Sequence, residues 1–182
     1  MKAIIIPGNG NSKITDIWYT SVKNELKKLN LDVIAENMPD PELARKKYWI
    51  PFMKEKLSND DSILIGHSSG AVAIMRYLEK NKCKLAILIG VCHTDLGLES
   101  EKKSGYYSGP WQWDKIKNNA EKIIIFASKN DPYIPISEPL LIKNKLAADF
   151  HEYDDGGHFG GDVNKKEFPE IARIVSNFIK KV

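Results

Sequence analysis

Six short runs rich in Ile, Leu and Val recur along this chain, at 2–7, 31–36, 62–66, 84–91, 122–127 and 149–153. Each is bounded by turn residues, and a stretch able to form a helix separates most of them from the next. The runs are largely apolar throughout rather than alternating, which predicts strands covered on both faces, as in a parallel sheet. Between them, 15–30 carries Trp18, Val22, Leu26 and Leu29 at i, i+4, i+8 and i+11, one face of a helix. Stretches 69–81, 137–147 and 167–181 are further helix candidates. Pro41 suits a helix first turn, and Pro51 is expected to break or kink the segment after it. Strand, helix and strand in repetition predict a three-layer α/β/α fold around one mainly parallel six-stranded sheet. At 182 residues the chain is read as one domain, 1–182, with no separate cap.

Composition narrows the function classes. No apolar stretch approaches the length that spans a bilayer, so no membrane role is expected. The start, MKAIIIPGNG, is too short in its apolar part for a secretory signal and reads as the first strand. A net charge of +3, with lysines scattered along the chain, does not make the clustered basic face that nucleic acid requires. Two cysteines, Cys83 and Cys92, are too few for a disulfide framework or a metal set. They are expected to be buried small hydrophobes in a reduced, cytoplasmic compartment.

The third run ends in Gly66-His67-Ser68-Ser69-Gly70 and turns directly into a helical pattern. Gly-x-Ser-x-Gly at a strand-to-helix junction is the nucleophile elbow. Its central serine has a strained backbone, and the positions two residues to either side must be small. Glycines stand at those positions around Ser68, whereas His67 and Ala71 would flank Ser69. Ser68 is therefore the candidate nucleophile, and Ser69, at the helix start, the candidate donor of an oxyanion-hole N–H.

A serine hydroxyl needs a histidine to take its proton and a carboxylate to hold that histidine's tautomer. In this architecture the order is Ser, then acid, then His, each in a loop after a strand. Of the four histidines, His67 adjoins Ser68 and points away from it, His93 precedes any suitable acid, and His151 lies inside the last strand. His158 alone follows the last strand, in the glycine-rich loop Asp154-Asp155-Gly156-Gly157-His158. Asp131, past the fifth strand and held by Pro132 and Pro135, is the candidate acid; Asp95 is the alternative. Asp154 and Asp155 stand too close to His158 in sequence to orient it.

A second oxyanion donor is expected from the loop after the first strand, Pro7-Gly8-Asn9-Gly10-Asn11. Strands one and three lie side by side at the switch point of such a sheet. The Asn9 N–H is the first choice and Gly10 the second, and the loop lacks the spacing of a phosphate-binding loop. The irregular segment 93–113 is the candidate lid or rim of a shallow site. Gly8, Gly10, His67, Trp111 and Trp113 are the candidate substrate-rim residues, although Tyr106, Tyr107, Trp111 and Trp113 are equally suited to a local core.

Several stretches in order, IIIPGNGN, ENMPDP, WIPFM, IGHSSGAVAIMRY, SGYYSGPWQWDKIK, NDPYIP and GGHF, carry a resemblance over nearly the whole length. The chain resembles the small serine hydrolases typified by retinoblastoma-binding protein 9 and the bacterial YdeN-like proteins. That resemblance implies a minimal α/β-hydrolase fold and a triad falling on Ser68, Asp131 and His158. It does not extend to the Leu-x-Cys-x-Glu motif tied to retinoblastoma protein. Leu57-Ser58-Asn59-Asp60-Asp61 stands there instead, so that partner is not expected. The expected activity is cleavage of a small ester, thioester or amide through an acyl-enzyme, with no metal or organic cofactor. The alternative is a binding or scaffold protein that keeps the fold without useful catalysis.

Overall fold

The computed structural model describes residues 1–57 and 60–181. Ser58 and Asn59, within the stretch compared with the retinoblastoma-binding motif, lie outside the described residues. Among the described residues six strands form one sheet: β1 (Lys2–Ile6), β2 (Asp32–Ile34), β3 (Ser62–His67), β4 (Cys83–Ile89), β5 (Ala120–Ser128) and β6 (Asp149–Tyr153). Their order across the sheet is β2-β1-β3-β4-β5-β6, and every pairing is parallel.

The pleat divides the apolar runs between two cores, because successive side chains point to opposite faces. Ile4, Ile6, Leu64, Ala86, Leu88, Ile123 and Ile125 face one layer. It is built by α2 (Lys46–Lys56), α3 (Ser69–Leu78), α5 (Trp113–Asn118) and α6 (Ser137–Leu146). Ala3, Ile5, Ile63, Ile65, Leu85, Ile87, Ile89, Ile124 and Phe126 face the other, against Trp18, Val22 and Leu26 of the first helical segment and Ile171 and Val175 of the last. Those segments are α1 (Tyr19–Lys28) and α7 (Pro169–Ile179), and a short α4 (Glu99–Ser104) lies within the segment 93–113. Fully buried apolar side chains of this size each contribute about 1.5–3 kcal/mol.

The helices are shorter than their expected spans. α1 starts at Tyr19 rather than residue 15: Ile17 has a left-handed φ of 42, and Asp16 closes the preceding turn by accepting the Lys13 N–H at 2.8 Å. The place expected for Pro41 needs correction, and so does a break at Pro51. Pro41 lies in a turn ahead of α2, where Asp40 clamps the Arg45 guanidinium with both carboxylate oxygens. Pro51 does not end α2: the helix runs through it, with Trp49 and Met53 buried on either side. Core packing of those two side chains outweighs the one backbone hydrogen bond that Pro51 removes.

α3 is buried along its whole length, from Ser69 to Leu78. It leaves the carboxyl end of β3 at the centre of the sheet, so the turn before it lies where β1 and β3 send their crossovers to opposite faces.

Candidate active site

Ser68 occupies the turn between β3 and α3 with φ 55 and ψ −121. This conformation is rare for a residue with a side chain, and costs on the order of 1–3 kcal/mol. Its surroundings enforce it. A Cβ on Gly66 would lie 2.6 Å from Ala71 N and the Gly70 carbonyl; one on Gly70 would lie 2.3 Å from the Ile6 oxygen. The two glycines thus let the turn close on itself and on the end of β1. The Ser68 N–H donates to the Ile89 carbonyl at 2.8 Å, tying the turn to β4.

His158 comes from the loop after β6. Its Nδ1 lies 2.7 Å from Oδ2 of Asp131, which comes from the loop after β5. Both side chains are nearly sheltered, 11% and 3% exposed, which strengthens the charge-assisted bond between them. The second oxygen of Asp131 accepts the N–H groups of Tyr133 and Ile134 at 2.9 and 3.0 Å, so the carboxylate is aimed by its own turn. The ring hydrogen bond of His158 goes to Asp131, and none is made to Ser68 Oγ. Such bonds commonly tighten only in the reacting complex. The alternative acid, Asp95, is turned to its own loop, where it accepts the Gly97 N–H.

Several residues that shape this site escape a reading by motif. Gly90 (φ +56) ends β4 beneath the imidazole, and a Cβ there would lie 2.9 Å from His158 Cε1. Asp162 accepts the His158 N–H at 2.6 Å and the Gly160 N–H at 3.2 Å. Asn130 accepts the Gly157 N–H at 2.7 Å. For Asn130 and Asp162 the only sequence signal is their proximity to Asp131 and His158, and Gly90 is marked only by its place at the end of the fourth apolar run.

The loop after β1 lies against the turn, since a Cβ on Gly8 would lie 3.3 Å from that of Ser68. Its N–H groups are mostly engaged: Gly8 donates to Tyr19 Oη, Gly10 to the Glu42 carbonyl and Asn11 to the Pro41 carbonyl. Among the described residues the Asn9 N–H has no such acceptor, nor does that of Ser69. The Asn9 side chain is held apart from this, donating to Glu101 Oε1 at 2.7 Å. Burial raises the Glu101 carboxyl above its usual range.

Ser68, Ser69, His158, Gly8, Asn9 and His67 line one cavity of about 810 Å³. Leu96, Leu98, Tyr107, Tyr133 and Ile134 give it an apolar side. The rim expectation needs correction at three positions, because Gly10, Trp111 and Trp113 are not among its lining residues. The two tryptophans stack on each other at 5.6 Å and pack on the core of the α3 face, and Arg76 lies 3.6 Å over the Trp111 ring. Gly10 is exposed, with nothing within 4 Å of where a Cβ would stand. His67 lines the cavity but is buried, held by Tyr19 and by the His158 carbonyl.

Both cysteines are free and buried, and burial pushes each thiol up to about 12, which removes thiolate chemistry near neutral pH. No helix among the described residues is long and apolar enough to cross a membrane.

A family model described as serine hydrolase matches residues 3–177. Serine hydrolase RBBP9 of Rattus norvegicus is 42% identical over 181 residues, covering 98% of this chain and 95% of the rat protein. The crystal structure of the ydeN gene product from B. subtilis superposes with a TM-score of 0.87 at 23% identity, covering 99% of this chain and all of that one. Alpha/beta hydrolase domain-containing protein 10 from mouse gives a TM-score of 0.70 at 16% identity, covering 99% and 90% of the two chains.

Proposed function

Since this chain belongs to the serine hydrolase family, with the α/β-hydrolase fold, we propose that Ser68, His158 and Asp131 cleave a small ester, thioester or amide through an acyl-enzyme. The observation that carries the reading is the 2.7 Å contact between His158 Nδ1 and Asp131 Oδ2 beside the strained Ser68 turn, on one cavity.

The chemistry follows from the geometry. With Nδ1–H donated to Asp131, Nε2 is the basic nitrogen and takes the Ser68 proton as Oγ attacks the substrate carbonyl. Asp131 steadies the imidazolium that results. The oxyanion accepts hydrogen bonds from the N–H groups of Asn9 and Ser69, the latter at the positive end of α3. Collapse expels the leaving group, which takes the proton from Nε2. Water, deprotonated by His158, then attacks the acyl carbon and regenerates Ser68.

The cavity favours a substrate with an apolar group. Leu98 and Tyr133 are 51% and 63% exposed at its mouth, and Tyr133 packs edge-on against His158 at 5.2 Å. Apolar surface left uncovered at a site is covered when an apolar ligand enters. A reduced, cytoplasmic setting is consistent with two unpaired cysteines.

The test is labelling with a fluorophosphonate probe, coupled to hydrolysis of p-nitrophenyl acetate. Wild type should label at Ser68, and Ser68→Ala should lose labelling and on the order of 10⁶-fold in turnover. Absence of labelling in the wild type, with no hydrolysis, would leave a scaffold with a hydrolase fold.

A further inference from the structure

The mechanism uses neither His67 nor Tyr19, yet both are buried at the site, at 5% and 1% exposure. Three contacts join them to the two loops that the reaction depends on. Gly8 N lies 3.3 Å from Tyr19 Oη, Tyr19 Oη lies 2.7 Å from His67 Nδ1, and His67 Nε2 lies 2.7 Å from the His158 carbonyl oxygen.

The two ends of this chain, an amide N–H and a carbonyl oxygen, set its donors. A carbonyl oxygen only accepts, so His67 Nε2 carries the proton. Burial lowers the His67 pKa to about 3, so the ring is neutral and Nδ1 is an acceptor. The Tyr19 hydroxyl therefore donates to Nδ1, and its oxygen is left to accept the Gly8 N–H. Burial also raises the Tyr19 hydroxyl above its usual range, which keeps that proton in place. The chain runs in one direction: Gly8 N–H to Tyr19 O–H to His67 N–H to the His158 carbonyl.

We infer that Tyr19 and His67 are positioning residues that hold the oxyanion loop and the base loop in one fixed relation about Ser68. The inference rests on the proposed triad. Three features argue for it. The chain engages the Gly8 N–H, leaving the Asn9 N–H as the donor that loop offers to the oxyanion. It grips the main chain of His158 from below while Asp162 grips its N–H and Asp131 its ring. A parallel bond, Trp18 Nε1–H to the Phe159 carbonyl at 2.8 Å, fastens the next residue of the same loop to the start of α1.

A neutral His67 matters for charge as well as for place. The two imidazole rings stand 4.9 Å apart. A proton on His67 would oppose the imidazolium that His158 forms on attack. The other ionisable groups that His67 senses are the carboxylates of Asp131 and Asp162 and the Tyr19 hydroxyl. The Tyr19 O–H, pointing at Nδ1, occupies the one site where that second proton would bind.

The decisive variant is Tyr19→Phe, which removes one oxygen and keeps the ring. Folding is checked by circular dichroism and thermal melting. The expected result is a fall of about tenfold to a hundredfold in kcat, with KM within about twofold, because loops displaced by a fraction of an ångström misalign the attack. Fluorophosphonate labelling should slow in parallel. The fall should be the same across the kcat–pH profile, since burial still holds His67 neutral and what is lost is the fixed relation of the two loops. A tyrosine that served stability alone would lower the melting temperature and leave kcat of the folded protein unchanged.

A folded Tyr19→Phe protein with wild-type kcat, in a preparation whose wild type labels at Ser68, overturns this inference and leaves the triad standing. A wild type that does not label overturns both. Should Tyr19→Phe not fold, long-range ¹H–¹⁵N correlation on the wild type decides. His67 is expected as the neutral Nε2–H tautomer from pH 8 down to pH 5, and titration in that range, or an Nδ1–H tautomer, breaks the chain.

Discussion

The turn at Ser68 and the segment 93–113 border the same site, but they are held in opposite ways. At the turn the constraints are supplied mainly by neighbours in sequence: Gly66 and Gly70 admit the backbone of the turn itself and the end of β1. The segment is held by side chains remote in sequence. Arg76, on α3, donates to the carbonyls of Tyr106, Gly109 and Pro110 and stacks on Trp111. Glu79, paired with Arg76, accepts the Gln112 N–H, while Glu138 on α6 accepts the N–H groups of His93 and Thr94. Glu101 reaches back to Asn9. A geometry made by adjacent residues leaves a motif; one made by distant partners leaves scattered charges that look like solvated surface.

That contrast can be broken from either side. The largest effect is expected from Arg76→Met, which keeps the aliphatic stem but removes the donors and leaves the Glu79 carboxylate buried, at 9% side-chain exposure. Loss of one partner of a buried pair costs about 3–5 kcal/mol, read as a lower urea midpoint. The segment should also become more open to limited proteolysis, with fluorophosphonate labelling of Ser68 retained. Retained stability and protection would show that the segment does not depend on α3.

Gly70→Ala attacks the turn itself. The new Cβ meets backbone at 2.3 Å from Ile6 O and 2.5 Å from Pro7 O, so β1 and its loop must retreat. A destabilisation of about 2–3 kcal/mol is expected, together with slower labelling at Ser68 as the oxyanion loop moves. A labelling rate equal to wild type would separate that loop from the turn.

The smallest effect sharpens the electrostatics beneath the turn. His67 titrates near 6.5 when unfolded and at about 3 when folded. Because the folded value is depressed, its contribution to stability is fully present above pH 6.5 and is lost as pH falls from there towards 3. The slope is up to about 1.4 kcal/mol per pH unit. Urea unfolding between pH 7 and 4.5 should show a shallower pH slope in His67→Gln than in wild type. Equal slopes would mean that His67 is not held neutral.

Most of the fold was legible because burial on both faces of a parallel strand demands a run of apolar residues, which stands out in sequence. The adjacency of β1 and β3 could be expected from that pattern and from the crossover rule. Pro51 was misleading, since what a proline does to a helix depends on whether packing holds the turns on either side. Trp111 and Trp113 were misleading for a related reason: an aromatic in a glycine-rich segment suits a site rim as well as a local core, and only the position of Arg76 decides.

By itself the sequence determined which serine stands in the strained turn, because the glycine spacing around it is a local steric requirement. It also determined that an acid and a histidine follow in loops at the same end of the sheet. The tertiary structure decided what surrounds them. Gly90 opens room under the imidazole, and Glu101 turns the Asn9 side chain away from its own N–H. Tyr19 and His67 join loops separated by most of the chain. Those relations are contacts between residues from about 10 to more than 140 positions apart. No local pattern encodes them, because the physics that makes them acts only once the sheet has brought their loops together.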